Sequence, residues 1–231
     1  MTAMFRDRRH AGQELAAALA RMEIEQPVVL ALPRGGVPVA VEIARELNAP
    51  LDLLLVRKVG APHNPELAVA AIVDGNPDDL VINREIVEAY GLDDEDLKLL
   101  VKNERPELER RRAVYRGRRR PLSLTGKTAI VVDDGVATGT TTKVALRAVR
   151  RRGPKQVILA VPVGAPDAID ELAPEADLIV CLSKPARFRA LGFHYLDFEQ
   201  LTDDEVLSLM RQAQATRKAA LAAERARRDA G

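Results

Sequence analysis

Unbroken apolar runs alternate with stretches in which apolar residues recur every three or four positions. The runs cover 28–32, 51–56, 67–73, 128–132, 157–163 and 178–182. Short runs without polar alternation predict strands buried on both faces, as in a parallel sheet. Between them, Val39, Ala40, Ile43, Ala44 and Leu47 form one stripe of a helix over 38–47. Val144, Ala145, Leu146 and Val149 do the same over 140–152, where Gly153-Pro154 stops the helix. A third helix over 166–172 precedes the last run. This alternation predicts an α/β domain with right-handed crossovers.

The segment 75–124 interrupts the pattern. It is acidic at Asp93, Asp94, Glu95 and Asp96, then basic from Arg110 to Arg120. Leu92, Leu97, Leu99 and Leu100 mark an amphipathic helix that Pro106 is expected to break or kink. The organisation predicted is a domain over 24–200 with a helical insert, an N-terminal helix within 1–23, and a C-terminal helix over 201–231. Large apolar residues end at Leu221, so the stretch from 212 onward is expected to be a frayed helix or a disordered tail.

Composition narrows the function. A chain of 231 residues suits one α/β domain with an elaboration, and 47% hydrophobic residues supply a full core. Aromatic content of 3%, without Trp, argues against an oligonucleotide-binding platform, and a net charge of +1 gives no field for nucleic acid or membrane. The basic run Arg110, Arg111, Arg112, Arg116, Arg118, Arg119 and Arg120 lies beside Glu104, Glu107 and Glu109 and reads as a solvated, self-paired helix face. Nucleic acid is therefore disfavoured as a partner. The single Cys181 reads as a buried thiol and excludes an intramolecular disulfide. No signal-type apolar region follows Arg6 to Arg9, and no run reaches the roughly 18 apolar residues of a membrane span. A soluble cytoplasmic protein is expected.

The chemistry concentrates in Val131-Val132-Asp133-Asp134-Gly135-Val136-Ala137-Thr138-Gly139-Thr140-Thr141-Thr142. A strand ending at Val132 delivers two carboxylates to the carboxyl edge of the sheet, where open α/β folds bind ligands. The following Gly/Thr turn opens a helix whose N-terminal N–H groups suit a phosphate. The turn contains no Lys, and the spacing does not fit a nucleoside-triphosphatase P-loop. Leu32-Pro33-Arg34-Gly35-Gly36-Val37-Pro38 repeats the theme after the first strand, with two glycines able to form an anion nest. Val56-Arg57-Lys58-Val59-Gly60 leaves the second strand with a cationic pair.

Two aliphatic residues, two acids, three variable residues and Thr-Gly-Thr resemble the 5-phosphoribosyl 1-pyrophosphate (PRPP) motif of type I phosphoribosyltransferases. Residues 32–38 resemble that family's pyrophosphate loop, and 56–60 the entry to its catalytic flexible loop. Ala70-Ala71 stands where well-known members often have Gly-Ala. The resemblance covers about 24–200 and implies a Rossmann-like parallel-sheet core with a helical insert and a hood. It implies that Asp133 and Asp134 hold the ribose hydroxyls, and that Ala137, Thr138, Gly139, Thr140 and Thr141 hold the 5-phosphate. It also implies that Gly35, Gly36, Arg34, Arg57 and Lys58 meet pyrophosphate, with a cis peptide between Pro33 and Arg34. A mobile loop over 60–66 would carry His63.

The implied reaction is Mg²⁺-assisted displacement of pyrophosphate from ribose C1 by a nitrogen acceptor. The metal would be held mainly by PRPP and water, with no fixed protein ligand. The catalytic set would be Arg34, Lys58, Asp133 and Asp134. Phe188, Phe193 and Tyr195, the densest aromatics in the chain, are candidates to stack on a nucleobase-like acceptor. A PRPP- or nucleotide-sensing protein with little turnover is the alternative, and phosphorolysis or hydrolysis of a nucleotide is a third. The chain is compatible with a homodimer.

Overall fold

The computed structural model describes residues 5–75, 79–117 and 119–229, so Arg118 of the basic run and residues 76–78 of the expected insert lie outside it. In chain order the elements are α1 (Arg8–Leu19), β1 (Pro27–Ala31), α2 (Gly36–Glu46), β2 (Leu51–Leu53), β3 (Val56–Ala61), β4 (Asn64–Val73) and β5 (Asp79–Ile82). There follow α3 (Arg84–Ala89), α4 (Asp94–Tyr115), β6 (Thr128–Val132), α5 (Thr140–Arg151), β7 (Gln156–Val163), α6 (Pro166–Leu172), β8 (Leu178–Ser183) and α7 (Asp203–Asp229).

Five strands form a parallel sheet in the order β2-β1-β6-β7-β8. The register aligns Val29 with Ile130 and Ile158, and Leu30 with Val131 and Leu159. Successive strand residues point to opposite faces, so these rows feed two separate cores. The first row packs with Leu15 and Leu19 of α1, Ile43 of α2 and Met210 of α7. The second packs with Leu146 and Val149 of α5 and with Ile169 and Leu172 of α6. Burial on both faces is why these strands are unbroken apolar runs.

The expected strand over 67–73 is not in that sheet. It is part of β4, which pairs antiparallel with β3 and β5 in a separate three-stranded sheet. Val69 and Ile72 face one core and Ala71 and Val73 the other, between α4 and α5. An apolar run reports burial on two faces and says nothing of pairing direction. The expected strand over 51–56 divides as well: β2 ends at Leu53, and β3 starts the second sheet at Val56.

Helix α4 runs through Pro106 without a break. Asp93 and Asp96 cap its start reciprocally, and Leu97 and Val101 before the proline and Leu108 and Tyr115 after it are all buried. Packing on both sides outweighs one lost helical hydrogen bond. The basic run is only partly solvated, because Arg116 is 7% exposed. Arg116 Nε donates to Asp74 Oδ2 at 2.7 Å, Nη1 to both Asp52 oxygens at 3.0 Å and Nη2 to the Leu53 carbonyl at 2.7 Å. Arg112 donates to the other Asp74 oxygen at 2.5 Å. Helix α7 is continuous to Asp229, anchored by buried Val206 and Met210. Cys181 is half-buried, with Sγ 3.3 Å from the Ser183 carbonyl. Among the described residues no helix is long and apolar enough to cross a membrane.

Candidate active site

β1 and β6 are neighbours, yet the chain leaves β1 toward β2 on one side and β6 toward β7 on the other. At such a switch point the loops beyond the strand ends diverge and leave a crevice. The loops here are 32–36 and 133–139. A Cβ on Gly35 would lie 2.1 Å from Asp134 Oδ2, and one on Gly36 would lie 2.6 Å from the Val132 carbonyl oxygen. Only residues without a side chain let the two loops pack this closely. The Pro33–Arg34 peptide is cis. Gly139, with φ of 72°, is the cap of α5, and Ala137, Thr138 and Thr141 are exposed around the helix start. Thr140 is half-buried beside them.

The two acids have different surroundings. Asp134 is 7% exposed, and its Oδ2 accepts from Arg8 Nε at 2.7 Å. Arg8 also donates to the Glu199 carbonyl at 2.8 Å, and its guanidinium lies 3.8 Å from the Phe198 ring centre. Tyr195 donates its hydroxyl to the Asp134 carbonyl. Asp133 accepts the Asp134 N–H at 2.9 Å and lines an open cavity of about 190 Å³. Burial, and then the adjacent Asp134 charge, hold the Asp133 carboxyl well above the usual carboxylate range.

Leu32, Pro33, Arg57, Lys58 and Thr141 share that cavity with Asp133, and so does Arg111 of α4. Arg34 is not among the lining residues. Its Nη1 is 3.8 Å from Asp203 Oδ1, at the start of α7, where Tyr115 and Arg110 also bond. The segment 60–66, expected as a loop, is the tip of the β3–β4 hairpin, with Ala61 opposite Asn64. His63 is exposed in the turn with φ of 63°. Among the aromatic candidates, Phe193 is 63% exposed and Phe188 stacks on His194 at 5.2 Å between ring centres. Tyr195 is buried between Phe5 and Phe198, at 5.6 and 5.0 Å, which leaves no ring face for a ligand.

Arg8, Arg111 and Asp203 carry no local signal in the sequence; each acquires its place only through the fold, Arg8 beside Asp134, Arg111 in the cavity with Arg57 and Asp133, and Asp203 beside Tyr115 and Arg110. Among the described residues no group of three or more His, Cys, Asp or Glu side chains converges. Asp133, one carboxylate in the cavity, suits a divalent cation held mainly by phosphate oxygens and water.

The raised pKa of Asp133 has a stability consequence. Its favourable contribution to folding is complete below the ordinary carboxylate pKa and is lost as pH rises through the raised folded value. Asp133→Asn is therefore expected to stabilise the fold at neutral pH by about 1 kcal/mol. Urea unfolding at pH 4 and pH 7.5 should show that gain only at the higher pH.

The profile of the family described as "Phosphoribosyl transferase domain" matches residues 6–195. Two Mycobacterium tuberculosis proteins provisionally named as phosphoribosyl transferases are each 45% identical over 210 residues, covering 91% of this chain and 47% of theirs. The chain thus spans about half the length of these curated relatives. A crystal structure from Thermus thermophilus is 44% identical with a TM-score of 0.79, over 90% of this chain and 97% of that one. A Neisseria gonorrhoeae protein crystallised with bound ppGpp is 14% identical with a TM-score of 0.50, over 92% of this chain and 98% of that one. That last likeness is one of fold alone.

Proposed function

The chain belongs to the phosphoribosyl transferase domain family and has the α/β fold of its type I members, and from this premise we propose that it transfers a phosphoribosyl group from PRPP to a nitrogen acceptor. The observation that carries this reading is the meeting of Asp133, Arg57, Lys58 and Thr141 in one cavity at the sheet's switch point. Residues 24–200 are the proposed transferase domain.

The N-terminal N–H groups of α5, with Thr138, Thr140 and Thr141, take the 5-phosphate. Asp133 accepts from a ribose hydroxyl. Asp134 joins it indirectly, since Arg8 already holds its carboxylate. Arg57 and Lys58 receive the pyrophosphate, with Arg34 swinging from Asp203 to assist. Negative charge grows on the leaving group as C1 becomes oxocarbenium-like, so fixed cations stabilise the transition state more than the ground state. Mg²⁺, when bound, neutralises phosphate charge. The β3–β4 hairpin, with His63 at its tip, closes over the site and excludes water. Phe188 and Phe193 contact a planar acceptor.

A PRPP-sensing role is the second reading, favoured by the Arg8–Asp134 pair, which engages one of the two acids before substrate arrives. Pyrophosphate release from PRPP with Mg²⁺, measured across nucleobases and small amines, separates the two. Release that requires one acceptor is the expected result. PRPP binding without release for any acceptor favours sensing, and absence of PRPP binding rejects both.

A further inference from the structure

Resting on that reading, we propose that Arg111, delivered by the inserted helix α4, binds the pyrophosphate group, with Glu107 as its place-holding counterion. Arg57, Lys58 and Arg111 line one cavity together with a single acid, Asp133. Three cations and one carboxylate line the cavity itself, with Glu104 and Glu107 paired to Arg57 and Arg111 but not among its lining, and this lining favours the more highly charged end of PRPP. Arg57 and Lys58 come from β3, whereas Arg111 comes from a helix that packs along β3 and β4.

The helix is not free to drift. Arg112 and Arg116 tie its last turns to Asp74, and Arg116 also holds Asp52. Tyr115 bonds Asp203. Arg111 therefore projects from a fixed platform. Its Nε donates to Glu107 Oε1 at 2.8 Å, one helical turn earlier. Arg57 is held the same way, through Nε, by Glu104 at 2.6 Å. A guanidinium presents five donors in a planar fork, and its terminal pair suits two phosphate oxygens. Hydrogen bonds from Arg110 and then Arg111 hold the Glu107 carboxyl at about 2, and Arg110 donates to both of its oxygens, so Glu107 keeps a counterion when Arg111 turns to phosphate. The insert then forms the leaving-group wall of the site, not a hood over the acceptor.

Calorimetry on the full chain with Mg²⁺ tests this with PRPP, inorganic pyrophosphate and ribose 5-phosphate. Arg111→Met is expected to weaken pyrophosphate and PRPP about tenfold or more, the loss of one charge-assisted hydrogen bond. Ribose 5-phosphate affinity is expected to stay within about twofold of the parent's, and Glu107→Gln to leave pyrophosphate affinity equal or tighter. Unchanged pyrophosphate affinity in Arg111→Met, or a parallel loss of ribose 5-phosphate, overturns the assignment. Should Arg111→Met fail to fold, Arg111→Gln decides by the same criteria. Wild-type binding of PRPP upholds the PRPP site on which the proposed function rests whatever Arg111 does, whereas a wild type that binds neither PRPP nor pyrophosphate overturns both.

Discussion

Arg116→Ala is expected to cost about 3 kcal/mol of folding stability, because it removes a buried cation shared by buried Asp74 and half-buried Asp52. Asp74 is 4% exposed and Arg116 7%. The guanidinium spans Asp74, Asp52 and the Leu53 carbonyl, so it joins α4 to both sheets. Arg112 remains on Asp74 in the variant, but from a more exposed position. The Asp52 oxygens and the Leu53 carbonyl lose the donors that Arg116 gave them. Urea unfolding should show a large fall in midpoint with an unchanged slope. Arg110→Ala, on the exposed side of the same helix, should barely move the midpoint. Equal midpoints for the two variants would show that the buried network does not hold the insert.

Gly35→Ala is expected to abolish PRPP binding, with a loss of about a hundredfold or more. A Cβ there would sit 2.1 Å from Asp134 Oδ2. Asp134 cannot simply rotate away, since Arg8 holds that oxygen and Tyr195 holds the backbone carbonyl. The two loops must separate, and overpacking of this kind costs about 1–3 kcal/mol. Calorimetry with PRPP and a thermal scan check the two effects together. A variant that binds PRPP like the parent would show that the loop contact is dispensable.

The parallel core was legible because Val28 to Ala31, Ala129 to Val132 and Val157 to Val161 are buried on both faces, which the sequence displays as unbroken apolar runs. The Asp133-Asp134 turn was legible because its carboxylates and its Thr/Gly phosphate turn are adjacent in the chain. The direction of β4 was not, since burial between two helices gives the same pattern in either orientation. The roles of the arginines were also hidden. Arg110, Arg111 and Arg116 look alike in a basic run, and only the fold sends one to Asp203, one to the cavity and one to Asp52 and Asp74. Tyr195 shows the converse: an aromatic in a promising place is buried by Phe5 and Phe198.

The Arg8 contact bears on how the site matures during synthesis. The loops at 32–36 and 133–139, with the start of α5, exist once about 141 residues have been made. The surface that seats Arg8 against Asp134 is the Phe198 ring and the Glu199 carbonyl, nearly sixty residues later. Tyr195, which holds the Asp134 backbone, is equally late. At about 5–20 residues per second, a ribosome takes roughly 3–12 seconds to cover that interval. Throughout it the nascent chain has its phosphate turn but an unbraced acid pair. Binding competence should therefore lag behind formation of the central strands and appear only after residue 199 clears the exit tunnel.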